Sequence, residues 1–125
     1  MSPVFATQIA ARLIAVVQVV LGVLFWTGHA DSLVNVHIAI GRLLVADLWI
    51  AVGLGLRAGT PIGLVALALA WSVGMPIFGL VQTNLLPGSA HVVVQVVHLV
   101  VGLAAVGLVE ALAGASDRRQ VSAKT

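Results

Sequence analysis

The chain has 125 residues, 61% hydrophobic and 8% charged, with a formal net charge of +2 and no cysteine. A soluble domain carries about one quarter charged residues, and a mean hydropathy of +1.17 sets this chain outside that class. With so few ionisable groups and no basic stripe interleaved with aromatics, a nucleic-acid partner is excluded; the lack of cysteine excludes disulfides, thiol catalysis, iron–sulfur ligation and zinc–thiolate sites.

Four apolar segments follow one another. The first runs from about Val4 to Trp26, with Ser2 as its cap and Pro3 at the first helical position. A cleaved signal peptide is the rival reading, but the apolar stretch from Leu13 past Trp26 is long for a signal core. The Gly22 region also shows no small-x-small cleavage pattern, so an uncleaved span is expected. Gly28 to Ser32 breaks this segment, and Asp31 or Ser32 is expected to cap the second, from about Leu33 to Leu56, which ends at Arg57-Ala58-Gly59. Thr60-Pro61 opens the third, which reaches about Gln82 with a kink expected at Pro76. Asn84 to Ser89 makes the last turn, and the fourth segment runs from about Ala90 to Ala113, with Gly114 expected to end it.

Each segment has at least ~20 mainly apolar residues, enough to cross a ~30 Å hydrocarbon core. Membrane strands are about half as long and alternate polar with apolar residues, and backbone groups in lipid must be satisfied internally. The expected fold is therefore all-α: an integral membrane four-helix bundle over residues 1–115, with successive helices antiparallel and a polar cytoplasmic tail over residues 116–125. Arg12, Arg57, Arg118, Arg119 and Lys124 all fall on the side of the termini and the middle loop. The positive-inside rule then puts both termini in the cytoplasm of a multi-pass plasma-membrane protein, with the four histidines toward the outer side.

The most informative stretch is Val36-His37-Ile38-Ala39-Ile40-Gly41, because Val97-His98-Leu99-Val100-Val101-Gly102 echoes it. On a helix, residues four apart share a face. The histidine can then point at a bulky group while the glycine lets that group lie flat against the backbone. His29 and His91 fall eight and seven residues upstream, as in a tandem duplication of a helix pair. A histidine at membrane depth is a functional-site hypothesis by default, and with no thiolate present, paired imidazoles suit the two axial positions of a haem iron. One imidazole can equally ligate the central metal of another tetrapyrrole. The bland alternative is interhelical hydrogen bonding of both histidines with Gln18, Asn35, Gln82 or Gln95, leaving Gly41 and Gly102 as helix-contact positions.

At His37, Gly41, Arg42 and Asp47 the second segment resembles the membrane-anchor cytochrome b subunits of succinate dehydrogenase, whose haem-ligand histidine is followed by x-x-x-Gly and then an arginine and an aspartate. Here the arginine and the aspartate are each displaced by one residue, and the fourth segment matches only as His98 and Gly102. That resemblance implies haem b held by His37 and His98, and electron transfer to or from a quinone or redox partner. The whole chain is also similar to small four-helix bacterial membrane proteins of unassigned function, chiefly through Leu24-Phe25-Trp26-Thr27-Gly28 and Leu86-Pro87-Gly88-Ser89-Ala90-His91. This implies a bacterial inner membrane and the four-helix architecture.

His29 and His91 are expected at a haem's propionate edge or in a surface network. Their only nearby carboxylate is Asp31, too few ligands for a metal of their own. Arg42, Asp47 and Glu110 are the buried charges, with Asp47 and Glu110 expected to pair with Arg12 or Arg42, or across an oligomer interface. A proton or cation path through Arg42, Asp47 and Glu110 is the transporter alternative, and a non-catalytic scaffold or subunit of a larger membrane complex is the third. Trp26 fits an outer aromatic belt, and Trp49 and Trp71 read as packing residues. No catalytic triad, P-loop or acid/base carboxylate pair is visible, so the chain does not read as an enzyme on its own.

Overall fold

A computed structural model describes residues 1–122, which fold into four α-helices joined by short turns and 3-10 segments. The helices are α1 (Pro3–Trp26), α2 (Val34–Arg57), α3 (Ile62–Val81) and α4 (His91–Ser122). Each is long and apolar enough to cross a membrane, the pattern of a multi-pass membrane protein. Large apolar side chains such as Leu13, Leu43, Ile50, Val73, Ile77 and Val100 point outward rather than inward. A bundle dissolved in water would present polar residues on those faces.

The helix ends follow from local chemistry. The Ser2 hydroxyl accepts from the Phe5 amide at 3.1 Å, capping α1. Past Trp26, Gly28 takes a φ of +73° while the His29 amide returns to the Leu24 carbonyl at 2.8 Å. That is a Schellman stop, which satisfies carbonyls otherwise left open at the helix end. The same device closes α2: Gly59 has a φ of +73° and the Thr60 amide donates to the Gly55 carbonyl at 2.9 Å. Thr60 is thereby used up in ending α2. It does not cap α3; its hydroxyl is buried with no partner among the described residues, and the Pro61 carbonyl takes the Leu64 and Val65 amides instead.

Two more expectations about helix ends are corrected. Neither Asp31 nor Ser32 caps α2, because Asp31–Leu33 forms a 3-10 turn whose Leu33 amide is taken by the Ala30 carbonyl at 2.8 Å. Gly114 does not end α4, which continues to Ser122. Continuation keeps Leu112, Ala113, Ala115 and Ser116 buried, and it carries Arg119 to the turn at Gly59. Most of the stretch expected as a polar tail is thus helix, and Lys124 lies outside the described residues. Helix α3 runs unbroken through Pro76.

Helices α2 and α4 pack on one another along the middle of the bundle, and α1 and α3 each pack against both. Alternation of direction makes α2 and α4 run the same way. The packed core is built from Ala11 of α1, Leu44, Leu48, Ala51 and Val52 of α2, Val65 and Ala68 of α3, and Ala105, Val109 and Leu112 of α4. Small side chains there let backbones approach, the usual basis of helix association in lipid. Two indoles tie α3 in place: Trp49 donates to the Ser72 hydroxyl at 2.9 Å and Trp71 to the Val101 carbonyl at 3.0 Å. This core fills the half of the bundle nearer the N terminus and the α2–α3 turn, here the lower half. The upper half, below the α1–α2 and α3–α4 connections, is less tightly filled.

Candidate functional site

In that upper half α2 and α4 bring His37 and His98 face to face, with ring centres 6.1 Å apart and ring planes inclined at 43°. His37 is three residues into α2 and His98 seven into α4, so equal depth comes from how the two helices dock, not from their starts. Each imidazole is backed by an aromatic ring from the preceding helix. Phe25 of α1 meets His37 edge-on at 5.4 Å, and Phe78 of α3 lies 6.0 Å from His98. Both Nδ1 atoms are sealed from solvent with no hydrogen-bond partner among the described residues. The expected bonds to Gln18, Asn35, Gln82 or Gln95 do not form. Gln95 instead accepts from the Trp26 indole, and Asn35 is exposed.

The two rings line a cavity of about 500 Å³ to which all four helices contribute, within the range of small-molecule and cofactor sites. Gln18, Gly22 and Phe25 of α1 and Met75, Pro76 and Gly79 of α3 form its sides, with Leu44 on its floor. The Gln18 Oε1 is likewise covered and has no partner among the described residues, although buried polar atoms are normally satisfied.

The two echoed glycines do different things. Gly102 lines the cavity and a Cβ there would meet nothing within 4 Å, so it leaves open space beside His98. Gly41 also lines the cavity, but the space a Cβ would take is held by the Gln18 amide, 3.0 Å away. A glycine that sequence reasoning passed over has the sharper role: a Cβ at Gly79 would stand 3.3 Å from Cε1 of His98. Its absence lets that ring lie against α3. Phe25 and Phe78 were likewise missed as neighbours of the histidines. The one available signal was an aromatic within the last turn of α1 and of α3.

The second histidine pair divides. His91 lines the cavity mouth, with its Nδ1 donating to the Leu85 carbonyl at 3.0 Å. His29 stays outside the cavity, exposed, its Nδ1 3.1 Å from the Thr27 hydroxyl. Of the charges, Glu110 is paired as expected with Arg12, at 2.7 Å, and also accepts from Gln8 at 2.7 Å. Asp47 is buried below the cavity floor, and its Oδ2 has no partner among the described residues. It pairs with neither Arg12 nor Arg42. Arg42 is exposed and lines the cavity.

Among the described residues no group of three or more His, Asp or Glu side chains is placed to hold a metal ion. A bare transition ion takes about four ligands, so the two imidazoles do not make such a site alone. Comparison of the chain with protein-family models, with curated proteins and with solved structures gives no match.

Proposed function

We propose that the cavity takes a b-type haem held by His37 and His98, and that the protein passes single electrons between this group and a membrane quinone or redox protein. The observation that carries this reading is the facing pair. Two imidazoles could hold one metal between them only if they face each other across a gap of a few ångströms. The spacing found is 6.1 Å. A tetrapyrrole brings its own four equatorial nitrogens and needs only two more ligands. This fits a site in which two imidazoles face each other and no set of three or more such side chains is gathered among the described residues. When bound, such a group supplies reversible one-electron exchange, at a potential set by its ligands and their burial.

The chain's own residues have definable tasks in this reading. Phe25 and Phe78 hold the two imidazoles in orientation from behind, Gly79 seats His98, and Gly102 leaves the α4 backbone open to a flat ligand. Met75, Pro76 and Leu99 give the cavity an apolar wall that keeps water out. The cationic residues Arg57, Arg118 and Arg119 cluster at the lower end, which by the positive-inside rule faces the cytoplasm of a bacterial plasma membrane. The site then belongs to the outer half of the bilayer. Gly53, Gly63, Gly74 and Gly107 are exposed with nothing within 4 Å of a Cβ, which suits contact with further copies or with other subunits of a complex.

The test is spectroscopic. Protein purified in mild detergent from haem-replete cells is expected to show a Soret band and a sharp α-band on dithionite reduction. Both bands are expected to be lost in His37→Ala and in His98→Ala. A colourless protein from such cells refutes the reading and favours a scaffold with structural histidines.

A further inference from the structure

The cavity wall carries one arginine and one carboxylate, at opposite ends. Asp31 sits at the upper mouth, and Arg42 lies eleven residues on, about 16 Å further down by helical rise. Arg42 has no hydrogen bond or ion pair among the described residues, whereas Arg12 is held by Glu110. A guanidinium cannot shed its charge, and an unpaired one at membrane depth is costly. It is therefore short of an anion, and the cavity it lines is the place for one.

We infer that Arg42 binds a carboxylate of the cavity's ligand, so that the ligand's acid edge points down toward Arg42 and away from Asp31. The inference rests on the reading that the cavity takes a tetrapyrrole, whose acid side chains are carboxylates. It reverses the orientation in which His29 and His91 stand at the acid edge. His29 is outside the cavity, and at the mouth a carboxylate faces the like charge of Asp31. Arg42 follows His37 by five residues, which turns it about 140° round α2 and lowers it about 7.5 Å. The two residues leave α2 in different directions, yet both line the cavity, so the long arginine side chain reaches the rim of a ligand there from another side than the imidazole. A planar guanidinium forks onto a carboxylate with two parallel bonds, which a point charge does not reproduce.

The test uses full-length protein in an uncharged detergent free of phospholipid, which removes lipid phosphate as the anion. Four probes are titrated: haemin, haemin dimethyl ester, metal-free protoporphyrin and its dimethyl ester. The Soret position reports histidine ligation of the first two, and quenching of tryptophan fluorescence reports binding of all four. Wild type is expected to bind each diacid roughly tenfold or more tighter than its diester, the scale of one charge-assisted pair. Arg42→Gln is expected to bind acid and ester alike, and Arg42→Lys to keep part of the preference, which shows that loss in the glutamine variant is not misfolding. Equal binding of acid and ester by wild type, a preference that survives in Arg42→Gln, or binding of none of the probes overturns the inference. If haemin gives no histidine-ligated spectrum while metal-free protoporphyrin still shows the Arg42-dependent preference, the haem reading fails and the carboxylate site stands.

Discussion

Replacing Gly102 by alanine separates a cradle for a ligand from an ordinary helix contact. In the structure an added Cβ at this position touches nothing within 4 Å, so the protein without ligand has no clash to relieve. Glycine inside a helix costs about 0.5–1 kcal/mol relative to alanine, and the variant without ligand is expected to be more stable by about that amount. Gly102 nevertheless lines the cavity, so the new methyl group takes up room at its wall. A ligand packed flat on this backbone must shift or compress its neighbours, at about 1–3 kcal/mol for overpacking. If the cavity takes haem as proposed, that corresponds to roughly a 5- to 150-fold loss of affinity. Gly107→Ala is the control: it lies on the same helix, is equally open, and does not line the cavity. Stability is read from denaturant titration in detergent and affinity from Soret titration. The two changes should have opposite signs for Gly102→Ala, and only the stability gain should appear for Gly107→Ala. Haem affinity in Gly102→Ala equal to that of Gly107→Ala would refute the assignment of Gly102 to the cavity's binding face.

Gly79→Ala places a Cβ 3.3 Å from His98 Cε1, so the ring must give by a few tenths of an ångström. A cost of about 1 kcal/mol is expected, with a shifted Soret maximum in the haem-loaded protein; an unchanged spectrum and melting point would refute that seating. Glu110→Ala leaves Arg12 and Gln8 without their acceptor and should lower the melting temperature, with Arg12→Leu in the same chain recovering part of it; strict additivity would show the pair to be uncoupled. Trp71→Phe removes the indole bond to the Val101 carbonyl and should cost about 0.6–1.7 kcal/mol, read by detergent unfolding. Single cysteines test orientation: Ser89→Cys should react with a membrane-impermeant thiol reagent in intact cells, and Ala58→Cys only after permeabilisation. The reverse pattern would invert the topology.

Helix number and class were legible because apolar length is a coarse property that survives small errors. Helix ends were less so, and the glycines show why. Gly28 and Gly59 stop helices since the chain beyond them must turn, and each adopts the positive φ that a Schellman closure needs. Gly114 looks alike in sequence, but the residues after it have buried places to fill, and tertiary packing carries α4 onward. The histidine pair could be read from its echo because both copies sit on helices running the same way. What stands beside them could not. Gly41 and Gly102 have identical spacing from their histidines, and only the neighbouring helix decides that Gln18 fills one space and nothing fills the other. The Arg12–Glu110 pair spans 98 residues of sequence, so pattern could nominate both charges without joining them. Asp47 has the burial expected of it, with no partner among the described residues.

The docking of α2 against α4 also bears on how the molecule comes into being. The α1–α2 hairpin holds His37 and Gln18, and the α3–α4 hairpin holds His98, Gly79 and Gly102. Each hairpin inserted by itself owns one imidazole and part of a wall, and the site appears only when the two meet. Any ligand that bridged them would bind the docked form and not the separated one, and would stabilise the finished protein with the logarithm of its free concentration.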